Sequence, residues 1–172
     1  MAKGESFFLR SNVVQTGASY QEQEIDLGSF VNFGSKSAQL LRIHNVEWSI
    51  ADDGTPMSGP YASDATLNIG VQLTTKTQTA IVRLDDLSVV ASGKYEIHTN
   101  SSSVPTFAQD TRDVLPQQYR QGYLIGVDTL YLATGADQAA DSGTYNVSLV
   151  MECTLEPATQ ANATALAISQ GQ

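Results

Sequence analysis

The sequence is poor in the residues that most protein chemistry depends on. It has one cysteine, Cys153, so an internal disulfide framework is excluded. That cysteine falls on the apolar phase of an alternating run, where a thiol behaves as a small buried hydrophobe. Only nine residues are Lys or Arg, at Lys3, Arg10, Lys36, Arg42, Lys76, Arg83, Lys94, Arg112 and Arg120, and they never cluster. A protein that holds DNA or RNA by charge needs a basic patch or arm. Against 18 Asp and Glu the net charge is −9, so direct nucleic-acid binding is not expected.

Long hydrophobic runs are also missing. The opening residues, MAKGESFFLRSN, lack the apolar stretch of about 7 to 15 residues that a secretory signal carries. No run approaches the ~20 apolar residues of a membrane-spanning helix. Synthesis in a cytoplasm without a signal peptide is the expectation. The sequons at Asn100, Asn146 and Asn162 then belong to an ordinary Ser/Thr/Asn-rich surface.

Catalytic and metal-binding patterns are absent in turn. The two histidines, His44 and His98, stand 54 residues apart. A cupin-type centre needs a His-x-His pair, a following Glu and a later His to converge on one metal. No zinc spacing occurs, and there is no G-x-S-x-G elbow. Acidic residues pair at Asp52–Asp53 and Asp85–Asp86 and flank a loop at Asp137 and Asp141, but without the spacing of a calcium loop. They read as solvated turn carboxylates. No catalytic residue, cofactor or metal is assigned, and an enzyme is not expected.

Alternation is what the sequence has in quantity. In GTYNVSLVMECTLEP, residues 143–157, Tyr145, Val147, Leu149, Met151, Cys153 and Leu155 share one phase, against Thr144, Asn146, Ser148, Val150, Glu152 and Thr154. This is a strand with one buried face, roughly 40 Å long at about 3.3 Å per residue. Further strands are expected near 6–14, 20–31, 38–50, 66–75, 79–84, 94–100 and 122–133. In the third the apolar phase switches from Leu41 and Ile43 to Val46, Trp48 and Ile50, which predicts a bulge near His44–Asn45. All five prolines fall in connections or just past the last strand. Long connections lie at 51–65 and 101–121, and 106–115 has room for one short helix capped by Thr106. The fold class is all-β: an eight-stranded antiparallel jelly-roll sandwich with long inter-strand loops.

One jelly-roll domain is expected over 1–157, followed by an extended or flexible C-terminal arm over 158–172. The arm is dominated by Ala, Ser, Thr, Gln and Asn. Its Leu166 and Ile168 suit addition to a neighbour's sheet edge; a frayed end is the other reading. In the 101–121 connection Phe107, Leu115 and Tyr119 are too apolar for a linker. These five residues are the candidate interface positions.

The strand at 122–135, GYLIGVDTLYLATG, and the strand and tail at 144–170, TYNVSLVMECTLEPATQANATALAISQ, resemble the single-jelly-roll major capsid proteins of membrane-containing icosahedral viruses of the sphaerolipovirus-like kind. The likeness lies in strand rhythm, length and tail over the whole chain. It implies a structural protein of the virion, assembling with copies of itself and with a second capsid or vertex protein, close to an inner lipid membrane. The absence of a basic arm agrees, since a membrane would separate such a shell from its genome. Two other classes remain: an extracellular carbohydrate-binding or adhesion sandwich, and a cupin-like enzyme.

Overall fold

The computed structural model describes residues 5–32 and 38–170. The alternation of the last strand places it at the centre of a sheet. β9 (Thr144–Ala158) runs between β1 (Phe7–Thr16) and β3 (Ala38–Asp52), and β7 (Tyr123–Ile125) lies beyond β3. All pairings are antiparallel. Tyr145, Val147, Leu149, Met151 and Cys153 are each no more than 1% exposed, so the odd phase is the core phase. The register of β3 shifts between Ile43 and Asn45. That bulge turns Leu41 and Ile43, and then Val46 and Trp48, to the same buried side.

A second sheet covers this core in the order β2 (Gln21–Asp26), β8 (Thr129–Ala136), β4 (Thr66–Thr74), β5 (Val89–Thr99) and β6 (Pro105–Val114). β1 pairs with β9, β2 with β8, β3 with β7 and β4 with β5, so the chain doubles back on itself in nested pairs. Nested pairs divided between two sheets make a jelly roll. The described residues hold nine strands against the eight expected. Tyr145 links the layers: its hydroxyl lies 3.2 Å from Thr134 Oγ1 on the facing sheet. Burial pushes that phenol up to about 12.

Four expectations are corrected. Residues 106–115 form most of β6, not a helix, because a ladder to β5 supplies the backbone partners that a lone helical turn would lack. The run 122–133 is two strands, broken at 126–128 and divided between the sheets. Prolines do enter strands: Pro105 opens β6 at an edge, and Pro157 pairs with Gln39 near the end of β9. Residues 79–84 form no strand.

Those last residues belong to a strap, 75–88, laid over the outer face of the second sheet. Gln72 fixes it, donating to Val82 O at 2.6 Å and accepting from Val82 N at 2.9 Å. Ile81 sits over Gly70 and Gly135, which pair across β4 and β8; a Cβ on Gly70 would lie 3.0 Å from it. At its near end the backbone N–H of Gln78 donates to Glu22 on β2.

Candidate functional site

The tail is where sequence and structure differ most. Residues 160–170, expected in an extended or flexible arm, form helix α1 (Gln160–Gln170). Ala163 and Leu166 pack on Ala38, Leu40, Leu124 and Ala158, a small second core on the outer face of the first sheet. Gly126 makes this approach possible, since a Cβ there would stand 2.7 Å from Leu166 Cγ. Gln170 then closes the β7 edge. Its Oε1 accepts from Gly126 N and its Nε2 donates to Leu124 O, both at 2.7 Å, while its own carbonyl accepts from Thr75 at 2.6 Å. A glutamine side chain here takes the place that a further strand would take.

Beside the helix lies an open cleft of about 640 Å³, with Leu87, Tyr119, Tyr123, Leu124 and Leu166 among its walls. Tyr119 and Tyr123 face each other at 6.3 Å between centroids. The floor is held by Arg42, which makes a two-pronged ion pair with Glu156 and donates to Gln121 O at 2.8 Å. The guanidinium keeps the Glu156 carboxyl below its ordinary range. Burial raises the Tyr123 phenol.

Of the five positions singled out in the sequence, Tyr119 and Leu166 meet in this cleft. Ile168 lies on the outer face of α1 and is 57% exposed. Phe107 stands apart on β6, paired with His98 and half exposed. Leu115 is a correction: it is 6% exposed and belongs to the core, because the 3₁₀ turn Pro116–Gln118 folds it inward. Leu87 and Gln170 carried no sequence signal, one lying in the misread strap and the other polar.

Apart from the paired Arg42 and Glu156 in its floor and Arg120 at its side, the surface is apolar and short of charge. No residue of α1 is charged, in a chain of net charge −9. Exposed Leu87, Tyr119 and Ile168 lie on or beside it. Depletion of charge with enrichment of tyrosine is the composition of an interface core.

The remaining polar candidates are engaged in local structure. His44 bonds Thr154 at 2.8 Å, and His98 bonds Thr66 at 2.9 Å. Asp137 clasps Asn68, and Asp141 clasps Ser63. Hydrogen bonds from Ser63 hold the Asp141 carboxyl below its usual range, and those from Ser88 do the same for Asp86. Cys153 is buried and its thiol is pushed up to about 12, far from the thiolate form. Among the described residues no three His, Cys, Asp or Glu gather as metal ligands.

No protein-family model matches the chain, and no curated protein does. Among solved structures it is similar to VP1 of New Jersey polyomavirus, at 8% identity and a TM-score of 0.48, over 89% of this chain and 100% of that one. It is similar to Merkel cell polyomavirus VP1 in complex with GD1a oligosaccharide, at 10% identity and 0.46, over 92% and 98%. A third is Desmodium yellow mottle tymovirus, at 8% and 0.36, over 92% and 91%. These are viral capsid jelly rolls, and the membrane-containing type is not among the three. At such identities and overlaps the likeness is confined to the course of the chain.

Proposed function

We propose that this chain is a structural subunit of a viral capsid, associating with copies of itself in the shell. The observation that carries the reading is the apolar, tyrosine-bearing surface formed by the uncharged helix α1, Leu87, Tyr119 and Tyr123 on an otherwise acidic molecule. Leaving such a patch in water is unfavourable for a monomer, and a neighbouring subunit would cover it. The jelly-roll topology and the strand rhythm support the capsid assignment, and the engagement of both histidines and of the loop carboxylates supports a non-catalytic role. In this reading the chain resides in the virion. A second capsid or vertex protein and an inner lipid layer are further components that the sequence resemblance implies, and lipid extraction of purified particles tests the latter.

The test is sedimentation of the purified full chain over a concentration series, with electron microscopy of the heavy fraction. Association into regular sheets, rings or shells is expected. Tyr119→Glu and Ile168→Glu should each reduce the heavy fraction and leave the monomer's melting temperature unchanged. A chain that stays monomeric at every concentration and salt overturns the reading.

A further inference from the structure

The sandwich has two flanks of different character. One is formed by the free edges of β1 and β2, which lie against each other. The other is formed by β6, the 3₁₀ turn, β7 and α1. The first flank carries exposed Phe8, 55% accessible, with Arg10 over its ring at 5.9 Å. It also carries exposed Glu24, Asp26 and Asp128, none of them in an ion pair among the described residues. Part of this charge is felt at Tyr131 on β8, whose phenol is raised first by burial and then by Glu24, Glu22 and Asp128.

The second flank holds the cleft. Arg120, exposed and without an ion-pair partner among the described residues, adjoins the cleft residues Tyr119 and Gln121. Lys94, exposed and in no ion pair among the described residues, lies on β5 next to β6, in a hollow it shares with Asp85 and Asp113. The three ion pairs among the described residues, Arg42–Glu156, Arg83–Asp85 and Arg112–Asp110, are on this side or on the strap end that reaches it. Of the described cations, Arg10 belongs to the first flank, and Lys76 stands on the strap end that meets Glu22 of β2.

The levels also agree. Phe7 pairs with Cys153, Cys153 with Ile43, and Ile43 with Tyr123, so one row of the first sheet leads from the base of β1 straight to the cleft. Phe8 is one residue from that row. Asp26 and Asp128 lie at the same end, away from the β1–β2 turn at 17–20.

We infer that the cleft on the β7 flank receives the β1–β2 flank of a second copy, head to tail, with Phe8 entering beside Tyr119 and Leu166 and the acidic edge of β2 facing Arg120 and Lys94. This rests on the self-association proposed above and specifies its geometry. A head-to-tail contact uses two different surfaces, so it continues into rings or rows instead of stopping at a dimer. Charge complementarity sets which flank meets which.

The test uses two charge reversals on side chains that make no side-chain hydrogen bond, Glu24→Lys and Arg120→Glu, with Phe8→Ser as the apolar arm. Melting curves of all three should match the unmodified chain. Each variant alone should associate about tenfold more weakly at low salt, as expected when like charges are juxtaposed. An equimolar mixture of Glu24→Lys and Arg120→Glu should recover the heavy species, because each variant then offers the other a complementary flank. If Arg120→Glu weakens association but Glu24→Lys and Phe8→Ser do not, the contact is a symmetric pairing of clefts and the inference is overturned. If all three associate like the unmodified chain, the flanks are not the contact. If the unmodified chain itself never associates, the capsid reading fails first, and the two failures are thereby distinguished.

Discussion

Replacing Gly93 with alanine sets two opposed effects against each other, and the structure says which one wins. Glycine in a strand interior is conformationally costly, and Gly→Ala there normally gains about 0.5–1 kcal/mol. At Gly93, however, an added Cβ would stand 2.6 Å from Trp48 Cζ2 and 2.6 Å from the Thr111 carbonyl oxygen. The carbonyl belongs to the neighbouring strand β6. The indole is 6% exposed and lies under the Arg112 guanidinium at 4.4 Å, so it has no easy way to swing aside. Overpacking of this kind costs about 1–3 kcal/mol, and two rigid contacts put it at the upper end. The net expectation is a loss of about 1–2.5 kcal/mol, or roughly 3–8 °C in melting temperature for a chain of this size.

Urea melts of Gly93→Ala, Trp48→Phe and the double variant form a cycle that isolates the clash. Trp48→Phe is destabilising by itself, but the smaller ring makes room. Gly93→Ala should therefore cost at least about 1 kcal/mol less in the phenylalanine background. It should not become free, since the Thr111 carbonyl stays in place. A Gly93→Ala chain that unfolds at the same or higher urea as the unmodified protein would refute the packing described for Trp48.

Leu149→Ala should cost about 2–5 kcal/mol, as for buried leucines generally, whereas Ser148→Ala on the wet face should stay within about 0.5 kcal/mol; paired urea melts read both. The Glu156 carboxyl sits below its ordinary value of 4.5 because of Arg42. Its contribution is present above the unfolded value and is lost as pH falls through the lower folded one. The melting temperature of Glu156→Gln should therefore lie below that of the unmodified chain at neutral pH and converge with it in acid; a gap that widens on acidification would contradict the assignment. Gln170→Ala should speed hydrogen exchange at the Gly126 amide, which Gln170 Oε1 accepts in the folded chain, without altering exchange in β9.

The parts of the fold that were legible in the sequence are those in which one face of a strand is buried. β4, β9 and the two halves of β3 alternate because Leu67, Ile69, Val71, the β9 core residues and Trp48 face a common interior. Even the bulge at Ile43–Asn45 left a mark, as a change of phase. β6 was illegible because residues 105–110 are exposed on both faces, so no apolar period exists to be read. The strap was misread because Ile81 is placed by Gly70 and Gly135, and a notch made by two distant glycines leaves no local pattern. In α1, Ala163, Leu166 and Gln170 do stand at helical spacing on the buried side. One of the three is a glutamine, and another is too small to register as core. The cleft was half legible: Tyr119 and Leu166 stood out as apolar residues in unexpected places, but their meeting depends on a tertiary contact.

The central position of β9 also bears on how this chain is made. β1 and β3 flank β9, just as β2 and β4 flank β8, so both sheets have a vacant middle slot until residue 129 and beyond have been synthesised. A nascent chain extending to β7 has its flanking strands but lacks the strand that joins them. Folding is thus held back until β9 has been synthesised, and pairings so distant in sequence form slowly even then. During that interval four inner strand edges are open to other nascent chains on the same message. A chaperone that shields extended apolar segments should raise the soluble yield more than slower synthesis does, because slowing the ribosome only lengthens the period in which those edges wait.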